Sequence, residues 1–296
     1  MAPPTLPHLM TFLAVARLLS FQKASSELNL STSAVSHAIR TLEERLGVSL
    51  FNRTTRSVAL TEAGEHLLGR LEPLLNDVGG VVDEMNLFRD RPSGRLRINT
   101  SRYAAHLVVV PLMARFLAAF PDITLDIVDD NGIVDIVGAG FDAGIRFLES
   151  VPEDMVVVPL GRDCRFAAVA TPAWFDANGP VLHPNDLLPH ECVRYRFPSG
   201  RIFRWEFEKD GQRIDLDVKG RVSVGDQDLA LAAAIDGIGP AFIFEDVARD
   251  AIASGQLVRV LEDWCPRFAG PVLYYPQQRR VSSALRTFID MALGEG

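Results

Sequence analysis

Ser20–Leu46, SFQKASSELNLSTSAVSHAIRTLEERL, decides how this chain is read. It predicts two short helices joined by a tight turn. Ser20 is positioned to cap a first helix that runs through about Leu28, and Asn29-Leu30 makes the turn. Ser31 caps a second helix from Thr32 to about Leu46, which Gly47 ends, because glycine accepts the left-handed conformation after a helix. On the second helix Val35, Ala38, Ile39, Leu42 and Leu46 recur at spacings of three and four, which makes one apolar face. Ser33, Ser36, His37 and Arg40 fall on the opposite face. Small hydroxyls let a helix seat deeply in a major groove. Arg40 can bond a guanine edge or a phosphate, and His37 can donate to either. Alone, this helix is equally an ordinary amphipathic helix with a solvated face.

The next segment shifts that balance. Residues 49–61, SLFNRTTRSVALT, read as two short strands around Arg53-Thr54-Thr55-Arg56, a basic hairpin suited to phosphates or a narrow minor groove. From Phe12 to Gly64 the motifs F-x-A-V-A, A-x-x-x-L-N-L-S, S-A-V-S-x-x-I-x-x-L-E, L-G-V-x-L-F-x-R-T-T-R and L-T-E-A-G follow one another. In this the chain resembles the N-terminal winged helix-turn-helix of LysR-type transcriptional regulators. It departs at Thr32, where members often carry Gln or Pro. The resemblance implies that Ser31, Thr32, Ser33, Ser36, His37, Arg40, Arg53, Thr54, Thr55 and Arg56 face double-stranded DNA.

Charge is distributed to match. The 296 residues carry a net charge of −8. Residues 1–60 hold six basic side chains (Arg17, Lys23, Arg40, Arg45, Arg53, Arg56) against Glu27, Glu43 and Glu44. That balance is +3, which leaves −11 for the remainder. A basic head on an acidic body suits a protein that touches nucleic acid with one end. No signal peptide and no membrane span is legible, so a cytoplasmic protein is expected. Cys164, Cys192 and Cys265 are far apart and not in C-x-x-C spacing, which argues against zinc or a disulfide framework.

Thr61 can cap a long helix, Glu62 to about Arg89. Leu67, Leu71, Leu74, Val78, Val81, Met85 and Phe88 form a heptad seam along it, suited to a partner helix from a second chain. Pro73 and Gly79-Gly80 weaken it, and Arg91-Pro92-Ser93-Gly94 makes a hinge. In the resembled family this helix dimerises, and members are homodimers or homotetramers.

From Arg95 strands alternate with helices: 96–99, 104–119 (helix), 123–128, 133–138 (short helix), 142–145, 166–170, 171–178 (helix), 221–224, 226–236 (helix), 239–244, a helix from Glu245, 272–275 and 282–293 (helix). This predicts a mostly parallel sheet covered by helices. The expected fold class is α/β. A winged helix-turn-helix (1–61) and a linker helix (62–92) precede an effector domain (93–296). That domain has one subdomain at about 93–162 and 268–296, and a second at about 163–267. It resembles the family's two-subdomain periplasmic-binding-protein-like domain, on the segments 116–125, 140–146, 197–200 and 261–266. Ligands in such sheets bind at the C-terminal strand ends. That places Thr100, Ser101 and Asp226 at the cleft, and the resemblance adds Phe197, Ser199 and Gly200. Arg102 and Arg146 can clamp a carboxylate, so an anionic metabolite is the expected effector. Ser101 is equally an N-cap, whereas Asp226 reads first as an N-cap and Arg146 first as an ion pair with an acidic neighbour such as Asp142 or Glu149.

No H-E-x-x-H, G-x-S-x-G, P-loop or post-strand G-x-G-x-x-G is present, so no catalytic or metal site and no cofactor is expected. The alternative is a cytoplasmic small-molecule binding protein without specific DNA binding. Such a protein has no use for the His37/Arg40 stripe or the basic hairpin.

Overall fold

A computed structural model describes residues 5–53, 58–71, 74, 92–277 and 281–294. The chain divides into two compact units, Met1–Phe88 and Arg89–Gly296.

In the first unit, α1 (Leu6–Leu18), α2 (Phe21–Glu27) and α3 (Thr32–Leu46) are followed by β1 (Phe51–Arg53), β2 (Val58–Leu60) and a helix, α4, over 62–71. Phe12, Val15, Ala24, Val35, Ile39 and Leu42 are fully buried together, with Leu50 and Phe51 beside them. Apolar area removed from water at roughly 25 cal/mol per Å2 makes this cluster the main force holding three short helices that would not form alone. Of the apolar face predicted on α3, Val35, Ile39 and Leu42 are core, Ala38 is half-buried and Leu46 is exposed at the helix end.

The turn between α2 and α3 rests on Asn29, whose φ of 52° lies in the left-handed region, and on Leu30 N–H donating to Ser25 O at 3.0 Å. Gly64, the last residue of the L-T-E-A-G motif, has a steric reason. A Cβ there would meet Leu50 O at 2.2 Å.

The linker seam needs correction. Leu71 is buried in the core of the first unit and Leu67 packs against it, so the first seam positions are covered by their own unit rather than by a partner. Leu74 is exposed; Pro73, Gly79-Gly80, Val78, Val81, Met85 and Phe88 lie outside the described residues.

The second unit has two lobes. In lobe I the strand order is β4-β3-β5-β15-β6: Ile123–Asp129, Gly94–Thr100, Ala143–Arg146, Val272–Pro276 and Met155–Pro159. The helical segment that starts with α5 (Arg102–Ala104) continues as α6 (Val110–Ala119). It and α10 (Ser283–Leu293) bury Val109, Phe116, Leu285 and Phe288 against the sheet. Segment 102–119 is long and apolar enough to cross a membrane, but here its Leu112 and Phe116 are core residues of lobe I.

In lobe II the order is β11-β8-β12-β7-β13: Val222–Val224, Val193–Tyr195, Ala241–Phe244, Asp163–Ala170 and Val258–Val260, with β14 (Arg267–Ala269) also on β7. Helices α8 (Gln227–Ile235) and α9 (Glu245–Ala253) cover one face of that sheet. The hairpin of β9 (Trp205–Lys209) and β10 (Gln212–Leu216) covers the other with α7 (Pro172–Asn178).

Both sheets are mixed, not mostly parallel. Each has a parallel half (β4-β3-β5; β11-β8-β12) and an antiparallel half. The reason is the exchange of chain between lobes: β7 and β14, the outgoing and returning segments, pair antiparallel. They approach closely enough that a Cβ on Gly270 would meet Arg162 O at 1.9 Å. The short helix expected at 133–138 is absent, and turns occupy 136–140. The Asp135 carboxylate accepts from Val137 and Gly138 N–H, offering those donors a local partner in place of a helix.

Candidate nucleic-acid interface and effector cleft

At the start of α3, Ser31 Oγ accepts from Ala34 N–H at 3.2 Å and lies 2.9 Å from Ser33 Oγ. Thr32 does not point outward alone: its hydroxyl sits 3.2 Å from that of the buried Ser25, tying α3 to α2 across the turn. Ser31, Thr32, Ser33, His37 and Arg40 are exposed and Ser36 half-exposed, opposite the buried Val35, Ile39 and Leu42. Arg53 ends β1 and pairs with Val58 in the ladder. Thr54, Thr55 and Arg56 lie outside the described residues.

One residue of this reader escaped the sequence reading. Glu43 stands near the C-terminal end of α3, where the helix dipole disfavours an anion. Its Oε1 accepts from Leu50 N–H at 2.8 Å and Phe51 N–H at 3.3 Å, so it fastens the first wing strand to α3. An acidic residue near a helix C-terminus was the available signal.

In the second unit the C-terminal ends of β3, β8, β11 and β12 converge, and the two lobes meet there. Arg102 is half-exposed. Its Nε donates to Asp129 Oδ2 of lobe I at 3.0 Å, and its Nη1 reaches Asp226 Oδ2 of lobe II at 3.4 Å. Both carboxylates raise its pKa above the ordinary guanidinium value, Asp129 most. Asn131 accepts from Arg102 N–H at 3.1 Å and donates to Gly225 O at 3.4 Å. The Tyr103 ring stacks on Phe244 with centroids 3.6 Å apart, and its hydroxyl donates to Cys164 Sγ at 3.3 Å.

Several expected site residues have other employment. Thr100 is fully buried, its hydroxyl donating to Ser101 O at 3.1 Å, so it is not a cleft surface. Ser101 caps the following helix, its Oγ accepting from Ala104 N–H at 3.4 Å. Asp226 Oδ1 caps α8, accepting from Asp228 and Leu229 N–H.

Arg146 is neither a carboxylate clamp nor an ion pair with Asp142 or Glu149. It is 7% exposed and donates to Asn99 Oδ1 at 2.6 Å, Ile145 O at 3.0 Å, Gly132 O at 3.2 Å and Asp130 O. Burial lowers its pKa. It braces the loop that carries Asn131. Phe197, Ser199 and Gly200 form a turn at the end of β8, closed by Gly200 N–H to Phe197 O at 2.8 Å, with Gly200 at a φ of 86°. Ser199 and Gly200 are exposed.

A helix-turn-helix with an exposed polar recognition face, followed in the same chain by a two-lobed α/β unit whose strand ends converge, defines a ligand-responsive transcriptional regulator. Residues 6–65 match the family described as bacterial regulatory helix-turn-helix protein, lysR family, and residues 89–296 match the LysR substrate binding domain. The chain belongs to the LysR family. It is 43% identical over 280 residues to the uncharacterized HTH-type transcriptional regulator YcaN of Escherichia coli (strain K12), covering 95% of this chain and 92% of that protein. It is 38% identical over 283 residues to the HTH-type transcriptional regulator PgrR of the same organism, covering 95% of each. The full-length Vibrio cholerae virulence activator AphB superimposes with a TM-score of 0.64 at 23% identity, over 98% of this chain and 99% of that one, a likeness of fold. CrgA of Neisseria meningitidis, a LysR-type regulator, superimposes with a TM-score of 0.60 at 25% identity over 99% of both.

Proposed function

We propose that this LysR-type regulator reads DNA bases through Ser33, Ser36, His37 and Arg40 of α3 and contacts backbone or minor groove through Arg53 and Arg56. In this reading residues 1–61 are the DNA-binding domain, 62–92 link two chains and 93–296 bind a small, anionic effector between lobes. The observation that carries it is the division of α3 into a buried apolar face and an opposite face of two hydroxyls, one imidazole and one guanidinium. Arg102, Ser101, Ser199 and Gly200 border the cleft, and effector binding acts by favouring one lobe arrangement over another. The protein works in the cytoplasm, where its DNA is.

Its partner in assembly is a second copy of the chain. On the second unit Val110 and Leu117 of α6 are 52% and 39% exposed, which leaves apolar side chains on the outer face of that helix. The test of the whole reading is fluorescence anisotropy on the duplex upstream of the protein's own gene, against a scrambled duplex, over a salt series. Salt-sensitive binding with preference for the upstream duplex supports it. Folded protein that binds no DNA at low salt refutes it in favour of a plain solute binder.

A further inference from the structure

The arginines first suited to an anion are committed: Arg102 to Asp129 and Asp226, Arg146 to one amide and three backbone oxygens. A run of cations outside any ion pair lies on lobe II. Between Glu191 and Glu206 the chain reads C-V-R-Y-R-F-P-S-G-R-I-F-R-W, with four arginines and no acid. Among the described residues none of Arg194, Arg196, Arg201 and Arg204 is in an ion pair.

Topology gathers three of them. Arg194 lies on β8 beside Ser223 of β11. Arg196 follows β8 at its C-terminal end, its N–H donating to Val224 O at 2.7 Å, which places it beside Gly225, where lobe I's Asn131 makes contact. The bridge between Arg196 and Ile202 folds the chain back, so Arg201 sits on the same turn, its guanidinium 5.1 Å from the Phe197 ring centroid. Arg196 Nη1 donates to Gly200 O at 3.0 Å, which leaves its other donors unassigned, and Arg194 Nε is buried with no partner. The nearby acids do not neutralise them. Glu206 pairs with Arg213, and Asp226 caps α8 while facing Arg102.

We propose that lobe II supplies the anion-binding wall of the effector cleft through Arg196 and Arg201, backed by Arg194, and that the effector carries two or more carboxylate or phosphate groups. Guanidinium forks bond such oxyanions two at a time, and one charge would leave a neighbouring cation unmatched. The flanking rings of Tyr195 and Phe197, in edge contact at 5.4 Å, give the remainder of the ligand an apolar floor. The inference rests on the cleft being the effector site.

The test is calorimetric titration of the full-length protein, without DNA and at fixed ionic strength, with pyrophosphate and citrate as probes and acetate and glycerol as controls. Binding of at least one multivalent probe is expected. Its Kd should rise at least tenfold in an Arg196→Gln/Arg201→Gln double variant. It should stay within twofold in Arg249→Gln, an exposed change on α9. Circular dichroism on each variant separates loss of site from loss of fold. Equal behaviour of all four probes, or an unchanged Kd in the folded double variant, would overturn the inference. So would a double variant whose only defect is a shallower salt dependence on DNA, because that assigns the arginines to phosphate backbone. Anion binding by a protein that ignores DNA would leave this wall standing and remove the regulator reading.

Discussion

Replacing Arg146 by Met distinguishes a brace from a ligand clamp. Met fills much of the same volume without a charge or donor. The guanidinium serves four acceptors, and the loss is not the same at each. Asp130 O, Gly132 O and their loop can turn to water, whereas Asn99, 1% exposed, keeps a buried amide oxygen with no donor. An orphaned buried acceptor costs about 1–3 kcal/mol and the lost charge-assisted bonds add to it. Relief of the guanidinium's desolvation, which lowers its pKa, works the other way. The balance is a loss of about 3 kcal/mol, or roughly 6–12 °C in Tm for a unit of this size. Differential scanning calorimetry of the full-length protein measures it. The protein's three tryptophans, Trp174, Trp205 and Trp264, all lie in the second unit, so their fluorescence assigns the shifted transition. A variant as stable as the parent that no longer binds multivalent anions would refute the brace and restore the clamp.

Arg40→Ala should cost about 1–3 kcal/mol on the specific duplex and less on random DNA, measured by anisotropy; equal weakening would make Arg40 a phosphate contact. Gly64→Ala should destabilise the first unit by about 1–3 kcal/mol or more, since the clashing atom is backbone; a neutral result in thermal melts would mean that α4 shifts freely. Burial pushes the thiols of Cys192 and Cys265 up to about 12 and about 11. At pH 8.5 both should resist a thiolate-directed reagent that labels them at once in denaturant. Because the folded state holds these protons more tightly, their contribution to stability is complete below about pH 9 and falls as pH rises above it.

The reader was legible because its signals are local. Ser20, Ser31 and Gly47 fix helix ends within a few residues, and a 3–4 spacing can be counted along α3. The lobes were legible as alternation but not as direction. Whether β7 or β15 runs parallel to its neighbours depends on partners about a hundred residues away. The hairpin Trp205–Leu216 was missed although Asp210-Gly211 is a hairpin turn signal, both residues having positive φ. Arg146 misled for a related reason. A guanidinium at a strand's C-terminal end looks available until tertiary folding supplies the carbonyls of Asp130 and Gly132, which no spacing in the sequence announces.

Glu43 joins α3 to the wing strand through two hydrogen bonds to one carboxylate oxygen. The reading helix and the root of the wing therefore move as one piece, and their mutual angle is settled when the unit folds rather than when DNA arrives. Little ordering entropy remains to be lost at this joint once the unit has folded. A regulator built this way discriminates with a stiff gauge, and its freedom to adjust lies outside the helix-wing joint.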